Sequence, residues 1–172
     1  MIRPDSAEYN PYFEKYISLV PGENIVETLS GQIEDSLTFL RGLSDVQGEL
    51  RYAPGKWSVK EVIGHLIDVE RIFAYRALRI ARSDRTPLPG FDENEYVAHA
   101  SFPSLNDLAA EYQAVRNSNL YFFRSLSEET WLRRGIASSN EISVRAIAYI
   151  LAGHELHHLG IIRSRYLRAG EG

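Results

Sequence analysis

The chain has 172 residues and no cysteine. That absence excludes a disulfide framework, a thiolate nucleophile and any cysteine-ligated metal site, so a bound metal would have to use nitrogen and oxygen ligands. Nor is there a run of about 18 apolar residues, the length a membrane-spanning helix needs. Met1 to Tyr12 lacks the charged-then-apolar pattern and small-residue cleavage site of an export signal, so a cytoplasmic protein with no membrane partner is expected. Positive charge is in short supply: 19 Lys and Arg against 23 Asp and Glu leave a net charge of −4. Nucleic-acid binding ordinarily uses a basic surface, so no nucleic-acid partner is expected. Glycine-rich phosphate loops and a G-x-S-x-G elbow are missing too, which leaves nucleotide-binding and serine-hydrolase readings without an anchor.

What is present is helix periodicity. With 44% hydrophobic residues, the length suffices for one compact domain spanning residues 1–172. Ile25, Leu29, Ile33, Leu37 and Leu40 recur every three or four residues and predict a helix over about Glu23–Leu43. Ser58 and Glu61 make a capping box that opens a second helix, to about Arg82. Ser104 with Asp107 opens a third to about Leu126, its stripe being Leu108, Tyr112, Val115, Phe122 and Leu126, interrupted by Asn119. The fourth runs from about Val144 to Leu167 and ends at Ala169-Gly170. Strand-like alternation is hardly found, and Ser127 to Ser143 reads as a turn. Tyr9, Tyr12, Phe13 and Tyr16 read as an aromatic arm or short helix. Four such helices predict an all-α four-helix bundle. The twenty-residue connection Ser83–Pro103 suggests a crossover between the second and third helices, hence up-down-down-up order.

The feature that carries chemistry is His154-Glu155-Leu156-His157-His158. Residues i and i+4 of a helix project in nearly the same direction, so His154 and His158 could chelate one cation. Both fall on the apolar stripe with Leu151, Ile161 and Ile162. His65 lies on the second helix's stripe with Val62, Leu66, Val69 and Phe73, and is the natural third ligand. A buried ring without a partner costs about 1–3 kcal/mol. The alternative is three core histidines bonded to carbonyl groups. Three protein ligands leave an open coordination position, the catalytic type of zinc site. Neutral imidazoles also leave the dipositive charge uncompensated, which acidifies bound water and attracts anions. Imidazole alone does not choose among zinc, nickel, cobalt and ferrous iron.

Around this set, Glu61, Asp68 and Glu155 are the carboxylates that could orient the ligand rings, or else be solvated. His157 points away as a flank residue, and His99 is a distant alternative ligand. Arg76 and Arg165 fall where the period predicts inward-facing residues and could bind a substrate carboxylate, or could be paired or snorkelling. Tyr75, Tyr96 and Tyr166 could line a pocket. The long connection is expected to border its entrance, and its Asp92, Glu93 and Glu95 would disfavour anionic substrates unless an arginine compensates.

The segment Gly55-Lys56-Trp57-Ser58-Val59-Lys60-Glu61 followed by His65 and Asp68 resembles the G-K-W-S-x-x-E-x-x-x-H-x-x-D signature of the DinB/YfiT-like superfamily. Gly153 to Gly160 resembles its G-H-x-x-H-H-x-G signature. The resemblance implies a four-helix bundle in which nickel or zinc is held by His65, His154 and His158, and a homodimer. The surplus aromatics of the arm are a second reason to expect a dimer. Characterised members include bacillithiol- and mycothiol-type S-transferases, a thiol-dependent maleylpyruvate isomerase and metal-dependent hydrolases. Ile161 stands where relatives often carry glutamine, and Thr86 to Asn94 looks like a subgroup feature. The expected function is therefore a metal-dependent hydrolase or thiol S-transferase acting on a small molecule, with a low-molecular-weight thiol as a possible partner. The alternative is a non-catalytic metal-binding or ligand-sensing bundle.

Overall fold

A computed structural model describes residues 3–167. An N-terminal arm of two 3-10 turns and a four-residue helix, α1 (Glu14–Ile17), precedes the first long helix, α2 (Ile25–Arg41). A single helical turn, α3 (Asp45–Gly48), leads to α4 (Val59–Ala81). Ser58 Oγ accepts the Glu61 amide at 3.2 Å and Glu61 accepts the Ser58 amide at 2.6 Å, the reciprocal capping expected there. The next connection holds α5 (Glu93–Ala98), and α6 (Leu105–Arg124) follows, capped by Ser104.

The segment Ser127–Ser143, expected to be a turn, contains α7 (Glu128–Trp131) and an antiparallel hairpin of β1 (Arg134–Ala137) and β2 (Asn140–Ser143). Its two-residue turn, Ser138-Ser139, has φ of 50° and 63°. Both turn residues are left-handed, as in the type I′ turns that match strand twist, but serine rather than the usual Asn-Gly conceals the signal. The last helix, α8 (Val144–Ile161), is capped by Ser143 and passes into a π-helical turn over Ile162–Tyr166. The predicted end at Ala169-Gly170 lies outside the described residues.

Pairwise contacts give the helix directions. α2 and α8 run parallel: Gln32 donates to the Ala152 carbonyl at 3.2 Å, and Ser36 to Glu155 one turn on. α6 runs against α2, since Arg124 reaches Ser30 while Arg41 reaches Gln113. α4 is parallel to α6: Arg71 pairs with Glu111, and farther along Tyr75 and Leu78 lie beside Ser118 and Phe122. α4 opposes α8, because His65 meets His154 while Tyr166 donates to the Trp57 carbonyl. The order is up-down-down-up, and the parallel α4–α6 pair requires the long crossover.

The apolar core has two parts. One holds Ile33 and Leu37 of α2 with Leu108 and Tyr112 of α6, and the other holds Leu29 of α2, Phe123 of α6 and Ile147 of α8. Arg116 on α6 and His154 and Glu155 on α8 fall between them in sequence and form a polar layer. The inward stripe of α6 is therefore Leu108, Tyr112, Arg116, Leu120 and Phe123, not the expected Leu108, Tyr112, Val115, Phe122 and Leu126. A charged residue occupies the central inward position because two other helices supply its counter-charges.

The aromatic arm packs on its own bundle. A Cβ on Gly153 would lie 2.0 Å from the Tyr16 carbonyl oxygen, so only glycine lets α1 cross α8 so closely. Tyr9 and Tyr16 are buried there, whereas Tyr12 stays exposed, so only part of the arm's aromatic surplus is taken up by the bundle itself. Among the described residues no helix is long and apolar enough to cross a membrane.

Candidate metal centre

His65 sits in the second turn of α4, and His154 and His158 lie one turn apart on α8. Antiparallel packing of α4 on α8 brings all three Nε2 atoms together: His154 is 3.2 Å from His65 and 3.1 Å from His158. The ligand atoms of all three lie within 4.8 Å of one another. His65 and His154 are buried, and His158 is half-buried beside a cavity.

Glycines precede two of the three histidines, His65 and His154, for steric reasons. Gly64 leaves room for the Phe102 ring, which a Cβ would approach to 1.9 Å, and Gly153 leaves room for the arm. Aromatic rings then fix the imidazoles, Trp57 against His65 with centroids 4.9 Å apart and Tyr16 edge-on to His154 at 5.2 Å.

Burial lowers the His65 pKa to about 4. Burial, with smaller contributions from the neighbouring imidazoles, lowers that of His158 to about 3 and that of His154 well below its usual value. Neutral rings keep their lone pairs, the form a metal requires. Hydrogen bonding does not satisfy the trio. An imidazole nitrogen has one in-plane position, used either to donate or to accept, yet His154 Nε2 faces two neighbours at bonding distance. One contact is always left over. A divalent cation with bonds of about 2.0–2.1 Å sets neighbouring nitrogens roughly 3.0–3.4 Å apart, the spacing of His154 from each of the other two rings.

The trio opens on a cavity of about 310 Å³. From the arm come Tyr12, Phe13 and Tyr16; from α4, Val69, Phe73 and Arg76; from the crossover, Phe91 and Glu93; and from the hairpin, Ser138. The crossover thus borders the cavity, as expected. Arg76 is buried, donating to the Pro89 carbonyl at 2.8 Å and to Ser138 Oγ at 3.0 Å. Arg165 is exposed against Tyr52, because the π-helical turn shifts the phase and Tyr166 takes the inward place.

The three carboxylates considered as ring orienters do other work. Glu61 caps α4 and pairs with Arg51, and Asp68 makes no hydrogen bond to a histidine. Glu155 turns away from His154 to Ser36 and Arg116. His157 packs on Tyr16 at the flank, and His99 is exposed beside Glu95. Tyr75 and Tyr96 are exposed and do not line this cavity.

Sequence reasoning missed Trp57 and Ser138 as cavity residues, and it named Glu93 with Asp92 and Glu95 without singling it out as the carboxylate that lines the cavity. Glu93 also acts electrostatically on His65 and Tyr16. An acidic residue in the first turn of a helix beside the trio could have raised that position, whereas Ser138 is brought in by a hairpin with no readable signal.

Fold and site together define a four-helix bundle with a three-histidine centre at the mouth of a cavity. The DinB superfamily model matches residues 28–162, and the chain belongs to that superfamily. A protein of Oceanobacillus iheyensis, provisionally named a metal-dependent hydrolase, is 24% identical over 142 residues, covering 80% of this chain and 79% of its own. YfiT from Bacillus subtilis, described with similar reserve as a metal-dependent hydrolase with an unusual four-helix bundle topology, superposes with a TM-score of 0.72 at 18% identity, over 97% of this chain and 93% of that one. The mycothiol-dependent maleylpyruvate isomerase superposes with a TM-score of 0.67 at 13% identity, over 83% of this chain and 61% of its own. At these identities the structural likenesses establish the fold.

Proposed function

We propose that the chain is a metal-dependent enzyme in which His65, His154 and His158 hold one divalent transition metal, nickel or zinc. The observation that carries this reading is the convergence of three neutral, mostly buried imidazole nitrogens whose lone pairs their own hydrogen bonding cannot satisfy. When bound, such a cation supplies Lewis acidity and a lowered pKa for a nucleophile at its open side. The protein's residues do the rest. Tyr16 and Trp57 hold the rings in place, the apolar walls exclude water, and Glu93 is the carboxylate available to take up a proton inside the cavity.

The substrate is a small molecule, and the nucleophile is water, making a hydrolase, or a low-molecular-weight thiol, making an S-transferase. The provisional naming of two relatives supports the hydrolase. Mass spectrometry of tag-free, metal-reconstituted protein with electrophilic substrates, with and without thiol, separates the two. Turnover without thiol establishes the hydrolase, and strict thiol dependence the transferase. Saturable ligand binding without turnover in either arm would leave a sensing bundle. The reading extends to one domain and to a homodimer, for which the groove lined by Tyr75, Leu78 and Phe122 between α4 and α6 is the apolar surface to be covered. Light scattering at micromolar concentration tests the dimer.

A further inference from the structure

Arg76 is a buried cation without an anion. Its side chain is inside the protein at 5% exposure, yet no carboxylate among the described residues lies within ion-pair distance. Nη2 is used by the Pro89 carbonyl and Ser138 Oγ, whereas Nε and Nη1 have no protein acceptor among the described residues. Burial pulls its pKa down and no negative charge pulls it back. Burying an unpaired charge is costly. The same bundle shows the compensated case: Arg116, fully buried, has two carboxylates.

The surroundings of Arg76 are built rather than incidental. Its guanidinium lies 4.9 Å from the Phe73 ring and 5.6 Å from the Phe91 ring. The left-handed turn of the hairpin presents Ser138 Oγ, which accepts from Arg76 and keeps its own O–H to donate. Leu88 is clamped to the hairpin by bonds to Ile136 and Ser138, and this sets the neighbouring Pro89 carbonyl against the guanidinium. All of this faces the cavity that holds the histidine trio. Arg76 lies eleven residues beyond His65 on α4, a rise of about 16 Å that the arginine side chain shortens by leaning toward the helix N-terminus.

We infer that Arg76 and Ser138 form an anion subsite that anchors the carboxylate of a small, apolar-bodied carboxylic acid, with its other end directed at the three histidines. A monoanion is indicated because Arg76 is the only lysine or arginine among the described residues lining the cavity, and Glu93 stands in the same space to repel a second negative charge. The apolar body follows from Phe73, Phe91 and Val69, and its small size from the cavity volume. The inference names the substrate class of the proposed metal enzyme, but its test does not depend on the metal.

The probe is benzoate, with benzamide as its neutral counterpart, titrated by calorimetry or NMR into tag-free protein with and without nickel. Metal-free wild type is expected to bind benzoate, and benzamide about tenfold more weakly or worse. Arg76→Gln should weaken benzoate about tenfold or more while leaving nickel content unchanged. Should that variant fold poorly, Ser138→Gly, whose backbone suits the left-handed turn, removes one donor and should weaken benzoate several-fold with benzamide unaffected. Equal affinity for the two probes, no saturable benzoate binding to the metal-free protein at millimolar concentration, or benzoate affinity retained in full by Arg76→Gln would each overturn the inference. Failure of nickel to bind at all would defeat the metal reading and leave this test intact.

Discussion

Two polar clusters share the middle of the bundle and are finished differently. Around Arg116, Nε donates to Glu70 at 2.7 Å, Nη2 to Glu70, Glu155 and the Tyr112 hydroxyl at 3.0–3.1 Å, and Nη1 to the Leu29 carbonyl at 3.1 Å, while Asn119 also donates to Glu70. Around the cavity, His154 faces two imidazoles but can bond to only one, and Arg76 has no counter-ion among the described residues. Adjacent residues of one helix turn divide the work, His154 toward the cavity and Glu155 toward Arg116. A buried polar group whose partners come from the protein holds the fold; one whose partners are missing marks where something else binds.

The largest expected effect comes from breaking the finished cluster. Arg116→Met leaves Glu70 and Glu155 buried against each other, and removing one member of a buried ion pair costs about 3–5 kcal/mol. The melting temperature should fall by roughly 10 °C or more, followed by circular dichroism. A fall of only a degree or two would show that the network is not structural.

The unfinished cluster should respond in the opposite sense. His158→Ala should cut tightly bound metal, measured by elemental analysis of tag-free protein, to a small fraction of the wild-type ratio, with the metal-free melting temperature little changed. Saturating nickel or zinc at a hundred times its Kd should stabilise the wild type by about 2.7 kcal/mol and the variant hardly at all. An unaltered metal ratio would remove His158 from the site.

Gly153→Ala tests how the arm closes the cavity. The new Cβ would collide with the Tyr16 backbone, and such overpacking costs about 1–3 kcal/mol. Faster proteolytic cleavage before α2 should accompany the lower stability. Cleavage as slow as in the wild type would mean that the arm is held elsewhere.

The smallest effect concerns a second self-satisfied group. Burial alone would raise the Glu8 carboxyl, but bonds from Arg145, Ser143 and the Asp5 amide, with the charge of Arg145, outweigh it and hold the pKa at about 2 against an ordinary 4.5. A carboxyl with a depressed folded-state pKa stabilises the fold above its unfolded pKa and loses that contribution as pH falls through the folded value. Wild type should therefore lose part of its stability between about pH 4.5 and 2, and Glu8→Gln should lose less over that window. Parallel acid profiles for the two would refute the linkage.

The parts of this pattern that could be read in advance were those written in one helix at a time. The period of Ile25 to Leu40 located α2, the Ser58–Glu61 box located α4, and the four-residue step from His154 to His158 set both rings on one side of α8. The His65 stripe and the length of the crossover then indicated which helices had to meet. Arg116 was missed because a charge on an apolar stripe looks like an interruption, although Tyr112, Arg116 and Leu120 keep strict four-residue spacing. The hairpin was missed because its left-handed turn uses two serines, and Arg165 was misplaced because nothing local announces a π-helical turn.

The sequence by itself determined four amphipathic helices, the caps of two of them, the alignment of three histidines with the apolar faces and the exclusion of cysteine ligands. Only the tertiary structure decided which buried charges are answered. Glu70 and Glu155 reach Arg116 across 46 and 39 residues of chain, while Arg76, on the same helix as Glu70, meets carbonyl, hydroxyl and aromatic rings instead. Periodicity reports which face of its own helix a side chain occupies, whereas the free energy of burying a charge depends on what the other helices place opposite it.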